Sequence, residues 1–144
     1  MNQEPTAGYE PVDHPADLRF RVWAPDRPAL FQQAARALLE TLFPAGPGEG
    51  SETGQTSEAG IRLEGVDDDD LLVRWLGELL FQAETRGRVP AAIRFLQLGG
   101  GQLRADCLMR PAGLPECEIK AVTYHQTGIR ESGGGLEATL LFDV

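Results

Sequence analysis

Positive charge is scarce in this sequence. Lys and Arg number 13 against 22 Asp and Glu, for a formal net charge of −9. Autonomous nucleic-acid binding needs a basic footprint that displaces counterions from phosphates, so this balance argues against it. An acidic surface suits a cation or a basic partner, and it also simply keeps a protein in solution. Cysteine is scarce too. Cys107 and Cys117 lie far from any Cys-x-x-Cys spacing, which argues against a zinc site. Cys107 falls in an alternating apolar pattern and reads as a small buried hydrophobe, and a disulfide between the two stays open. No apolar run approaches the roughly 20 residues needed to span a bilayer. Residues 1–10 carry no basic-then-apolar signal pattern and read as a flexible N-terminus. The chain is therefore expected to be soluble and cytoplasmic, with no membrane partner. Nucleophile-elbow, P-loop, Rossmann and His-Glu-x-x-His signatures are all missing.

What is present fits one folded unit. A length of 144 residues is in the usual range of a single domain and can bury one core without disulfides. The hydrophobic share of 42% and charged share of 24% are ordinary for a globular chain. Leu18 to Trp23 alternates and predicts a strand with one buried face, broken by Pro25 and Pro28. Between Ala29 and Phe43 the spacing turns helical: Leu30, Ala34, Leu38 and Leu42 form one stripe, and Phe31, Ala35, Leu39 and Phe43 the next. Residues 44–60 are rich in Gly, Pro, Ser, Thr and Glu and poor in apolar side chains, so they read as a mobile loop. Ile61 to Glu64 predicts a short strand.

Asp67 to Asp70 is a run of four acids directly before an apolar helical pattern that lasts to about Thr85. Asp is a preferred N-cap, and acids in a first turn complement the helix dipole, so the run reads as a helix start. A calcium loop is the alternative, but the spacing does not fit an EF-hand. Further strands are expected at Ala92–Leu98, Gln102–Met109, Glu118–Thr127 and Leu136–Phe142, with Gly99–Gly101 and Gly133–Gly135 as hairpin turns. The predicted order is β-α-β-α-β-β-β-β. That is an α+β fold: one domain, a largely antiparallel or mixed sheet, and two main helices packed on one face.

Polar groups cluster at three places: Asp13, His14 and Asp17 before the first strand; Lys120, Thr123, Tyr124 and His125 on the penultimate one; and Asp143 with Val144. Each also has a plain structural explanation, as a turn acid, a solvated sheet residue or an edge histidine.

These clusters lie in stretches that resemble a known family. Asp13-His14-Pro15-Ala16-Asp17-Leu18 resembles the Asp/Glu-His-Thr-Ala-Asp-Ile opening of the archeases. Leu71-Leu72-Val73-Arg74-Trp75-Leu76-Gly77-Glu78-Leu79-Leu80 is similar to their Leu-Leu-x-x-Trp-Leu-Asn-Glu-Leu-Leu helix. Ile119-Lys120-Ala121-Val122-Thr123-Tyr124-His125 matches their Ile-Lys-Ala-Val-Thr-Tyr-His strand, and Asp143-Val144 stands where the family ends in Asp-Ile. Four motifs in order span Val12 to Val144. Pro15, Gly77 and Val144 replace Thr, Asn and Ile. Pro15 removes a hydroxyl and an N–H from its turn but no carboxylate.

The resemblance implies a divalent metal site, commonly calcium, on Asp17, Asp143 and Val144, with Asp13 and His14 orienting Asp17. Oxygen-only donors suit such a cation and not a structural zinc. The resemblance also implies a non-catalytic partner of a GTP-dependent RNA-splicing ligase. That ligase joins 2′,3′-cyclic-phosphate or 3′-phosphate ends to 5′-hydroxyl ends in tRNA splicing and RNA repair. The accessory protein promotes its guanylylation and multiple turnover. Lys120 and His125 either contact ligase or nucleotide or stabilise the sheet. A general chaperone or modulator of RNA-modifying enzymes is the alternative. A metal-dependent hydrolase using Asp17 and Asp143 is a second one.

Overall fold

Two helices, α1 (Arg27–Leu42) and α2 (Asp68–Thr85), supply half of the buried core and touch both sheets of the fold. The computed structural model describes residues 6–12, 18–46, 56–124 and 128–144. Helix α1 starts where Asp26 accepts a 2.9 Å hydrogen bond from the Ala29 N–H, and Pro28 sits in the first turn, where its missing N–H is harmless. The helix buries Leu30, Phe31, Ala34, Ala35, Ala37, Leu38 and Leu42. Helix α2 starts the same way, with Asp67 accepting from the Asp70 N–H at 2.8 Å. Its buried stripe is Leu71, Leu72, Trp75, Leu76, Leu79, Leu80 and Ala83.

The strands are β1 (Gly8–Val12), β2 (Leu18–Ala24), β3 (Ser57–Glu64), β4 (Arg88–Gly99), β5 (Gln102–Pro111), β6 (Ala121–Tyr124), β7 (Arg130–Ser132) and β8 (Gly135–Asp143). They form two sheets, both antiparallel, rather than the one expected. The five-stranded sheet runs β1-β2-β8-β6, with β7 also on β8; the three-stranded sheet runs β3-β5-β4. Helix α1 packs on β1, β2 and β8 and reaches β4, while α2 packs on β3 and β4 and reaches β6. Each sheet thus turns one face to the helices. Val22, Ala24, Ala138, Leu140 and Phe142 face inward from one sheet; Ile61, Leu103, Ala105, Cys107 and Met109 face inward from the other.

Both glycine triplets are hairpin turns, as expected. Gly100 and Gly101 have φ of +62° and +77°, and Gly133 and Gly134 have +56° and +83°, the double left-handed geometry that matches strand twist. Other boundaries differ. Residues 8–12, in part assigned to a flexible terminus, form an edge strand on β2. Gly8 and Pro11 hide it from any apolar pattern, and edge position is where a proline is tolerated. Tyr9 anchors it, with its ring 6.1 Å from Phe20 and its hydroxyl donating to Glu40. Strand β3 begins at Ser57, so residues 57–60 belong to a strand and not to the loop. Their backbone pairs with β5 although their side chains show no pattern. Strand β4 begins at Arg88 and passes Pro90 on the edge of its sheet, beside a register shift that spares the missing donor. The short strand β7 carries three exposed residues and no apolar signal.

Trp75 is fully buried; its Nε1–H donates to the Phe31 carbonyl at 3.1 Å, and its ring lies 5.2 Å from Phe95 of β4. Trp75→Ala is expected to cost about 3–5 kcal/mol in urea denaturation. The Tyr9 hydroxyl is pushed up to about 12, first by burial and then by its bond to Glu40. A raised folded value favours the native state fully below the ordinary tyrosine value of about 10, and that advantage is lost as pH rises through about 12. Melting curves of the parent and Tyr9→Phe should therefore differ below pH 10 and converge by about pH 12.

Candidate functional site

Three strand ends converge where the sequence places its terminal acid. In the antiparallel register of β2 and β8, Leu18 pairs with Phe142. In that of β6 and β8, Ala121 pairs with Asp143 and Val122 with Phe142. One residue before β6, the Lys120 N–H donates to the Asp143 carbonyl at 2.7 Å. Strand β8 therefore ends between the start of β2 and the start of β6. The alternation Ala138, Leu140, Phe142 dictates the outcome for Asp143. These side chains face the helices, so Asp143 belongs to the opposite, outer face and is exposed.

Of the expected site residues, Lys120, Asp143 and Val144 are described. Lys120 and Asp143 meet through the backbone bond, and Lys120 is the chain's only lysine. Val144 follows Asp143 and is 45% exposed. Asp13, His14, Asp17 and His125 lie outside the described residues. Among the described residues, the Asp143 carboxylate has no ion-pair or hydrogen-bond partner, so its oxygens are available to a hard cation. No group of three or more His, Cys, Asp or Glu capable of holding a metal occurs among the described residues.

Sequence reasoning missed an exposed apolar grouping. Val12, Leu18 and Val144 are exposed large hydrophobics where β1 ends, β2 begins and β8 ends, and exposed Tyr124 lies three residues along β6, opposite Leu140. Three of the nine such residues thus sit at one end of one sheet, the kind of grouping that marks an interaction surface. Periodicity assigns an apolar residue in an alternating run to the core. It carries no signal that these positions are left exposed.

The acidic run starts a helix and does nothing at this site. Asp67 caps it. Asp70 accepts from the Val66 N–H at 3.0 Å and from Arg74 Nε at 2.9 Å, contacts that hold its carboxyl below the ordinary range, the Arg74 bond foremost. Asp68 lies 2.8 Å from Arg27. Asp69 accepts from the Ile129 N–H at 2.8 Å and packs on Gly128, whose φ of +63° and closeness to that carboxylate leave no room for a Cβ. All four acids thus have partners within the protein, as a helix start requires. Both cysteines are free, and burial pushes the Cys107 thiol up to about 11.

Comparison with known proteins gives this geometry a context. A family model, the Archease protein family (MTH1598/TM1083), matches residues 9–144. The "Protein archease" of Methanosarcina barkeri is 31% identical, over 94% of this chain and 95% of its own. The archease of Methanopyrus kandleri is 30% identical, over 94% of this chain and 99% of its own. The fold matches the solution structure of Methanobacterium thermoautotrophicum protein 1598 with a TM-score of 0.66 at 24% identity, covering 95% of this chain and 99% of that one. It also matches a Thermotoga maritima crystal structure, described as an archease and possible chaperone, with a TM-score of 0.63 at 22% identity, covering 94% and 96%. Among the described residues, no helix is long and apolar enough to cross a membrane. With the family model covering β1 through β8, both helices included, the chain belongs to the archease family.

Proposed function

We infer that this chain is a non-catalytic accessory protein that activates a GTP-dependent RNA ligase, promoting its guanylylation and multiple turnover through a divalent-cation site. Asp17, Asp143 and oxygens of Val144 are the ligands, calcium is the first choice of cation, and Asp13 and His14 orient Asp17. One observation carries the reading. Leu18 pairs with Phe142, and each is one peptide bond from a motif acid, Asp17 on one side and Asp143 on the other. The donor chemistry fits. An exposed carboxylate with no partner among the described residues is what a hard, oxygen-seeking cation takes. Calcium accepts roughly 6–8 oxygens, so three residues leave positions for water or for groups of a partner. A site of that kind bridges two macromolecules.

The surface supports the same reading. A ligase that holds RNA and GTP needs basic groups to neutralise phosphate, and an acidic chain is attracted to such a surface. The exposed apolar residues Val12, Leu18 and Val144 at the same sheet end as the acid resemble part of a docking patch. Lys120, held against Asp143, and His125 of the same motif contact ligase or nucleotide. The description of the Thermotoga relative as a possible chaperone favours a second reading, a broader helper of RNA-modifying enzymes. Stimulation of unrelated clients would select it.

The direct test is a ligation assay with a cognate ligase, GTP, and RNA bearing a 3′-phosphate and a 5′-hydroxyl. Asp17→Ala and Asp143→Ala should each abolish stimulation of guanylylation and turnover, and equal stimulation by either variant would sink the metal-dependent reading. Calcium titration separates binding from activation: His14→Ala should weaken affinity by about 10–100-fold, as expected for a group that orients a ligand.

A further inference from the structure

A sheet edge presents a row of unpaired N–H and C=O groups, and folded chains blunt such edges with proline, bulges or brevity. Most edges of this fold are blunted. Strand β1 carries Pro11, β4 carries Pro90 and two register shifts, and β6 and β7 are four and three residues long. Strand β3 has none of these devices. Its eight residues, Ser57–Glu64, include no proline and pair with β5 in unbroken register. Among the described residues, no backbone hydrogen bond reaches its other edge. Glu58, Gly60, Arg62 and Glu64 alternate along its outer face, all of them exposed.

The residues of that face fit the single chain poorly. Arg62 stands directly opposite Arg104 of β5, a like-charge pair that weakens a ladder. Glu58 stands opposite Leu108. Neither Arg62 nor Glu58 has an ion-pair or hydrogen-bond partner among the described residues. Gly60 lies between them. A glycine weakens a strand interior, and it often marks the close approach of another backbone. Among the described residues nothing requires it: its φ is not left-handed, and a Cβ there would meet nothing within 4 Å.

We propose that β3 pairs with β3 of a second copy of this chain, antiparallel about a two-fold axis at Gly60, joining two three-stranded sheets into one. A two-fold axis normal to a sheet sets residues of the same face opposite each other. Centred on Gly60, the pairing puts Glu58 of each copy against Arg62 of the other and Ala59 against Ile61. The two glycines meet at the axis, where the backbones come closest. Each Arg62 gains the acid that its own sheet lacks, which offsets Arg104. Neighbouring registers lose this match. Centring on Ile61 sets Glu58 against Glu64, centring on Arg62 sets that arginine against itself, and centring on Ala59 sets Arg62 against Thr56. The charge order of β3 is its own complement, which favours a second copy over the strand of another protein.

Analytical ultracentrifugation of the full chain over a concentration series tests this. The parent should be a dimer when concentrated and dissociate on dilution. Glu58→Arg sets base against base at both contacts, and Arg62→Glu sets acid against acid. Each should weaken self-association by about tenfold or more. Mixing the two variants, or combining both changes in one chain, should restore it, because opposite charges then face each other again. Both positions are exposed, so circular dichroism should show each variant folded as the parent is. A parent that stays monomeric throughout overturns the proposal. So does self-association of either single variant as tight as the parent's, and so does a loss that neither the mixture nor the double variant repairs.

Discussion

The contact of Trp75 with Phe31 and Phe95 is what the architecture hangs on. The indole joins three elements that are distant in sequence: its own helix α2, the backbone of α1 through the Phe31 carbonyl, and β4 through the Phe95 ring. Phe31 itself meets Phe95 edge-on at 6.2 Å, so the triangle closes. A carbonyl in the middle of a helix already accepts one bond from within the helix. The indole N–H uses its second lone pair, and it leaves no buried donor unsatisfied. Each helix also touches both sheets, so fixing the helix pair fixes where the two sheets stand.

From that arrangement the candidate site follows. With α1 lying on β2 and β8, the inward side chains Val22, Leu140 and Phe142 cannot turn outward without losing roughly 1.5–3 kcal/mol each of burial. Strand alternation then obliges Arg19, Arg21, Leu141 and Asp143 to occupy the other face. A slip of one residue would bury Asp143 and expose Phe142, and burying a lone carboxylate is far costlier than leaving it in water. The exposure of the terminal acid is thus secured by packing some distance from it.

Much of this was legible in the residues. The acidic helix start at Asp67, the apolar stripes of both helices, the glycine turns and the alternation of β5 are local signals, and each marks its element closely. The strands that escaped detection lack such signals. Gly8 to Val12 contains a proline and a glycine, Ser57 to Gly60 contains no large apolar residue, and Arg130 to Ser132 is wholly exposed. All three are held by hydrogen bonds to a partner strand, and the hydrogen-bonding capacity of a backbone is the same for every residue but proline. At the site, motif resemblance named Asp143, Val144 and Lys120. The exposed apolar residues at the sheet end were invisible, because alternation reports which way a side chain points and not what lies opposite it.

The sequence by itself determined both helices and most of the strands, the family, and the acids that carry its motifs, since these depend on near neighbours along the chain. Tertiary structure alone decided that the strands divide into two sheets and that β8 lies between β2 and β6. Strand pairing is a contact between segments more than a hundred residues apart, as Leu18 and Phe142 are, and no local pattern encodes which partner is chosen. That choice brings Lys120 to Asp143, so the chemistry available at this end of the sheet comes from the register between strands.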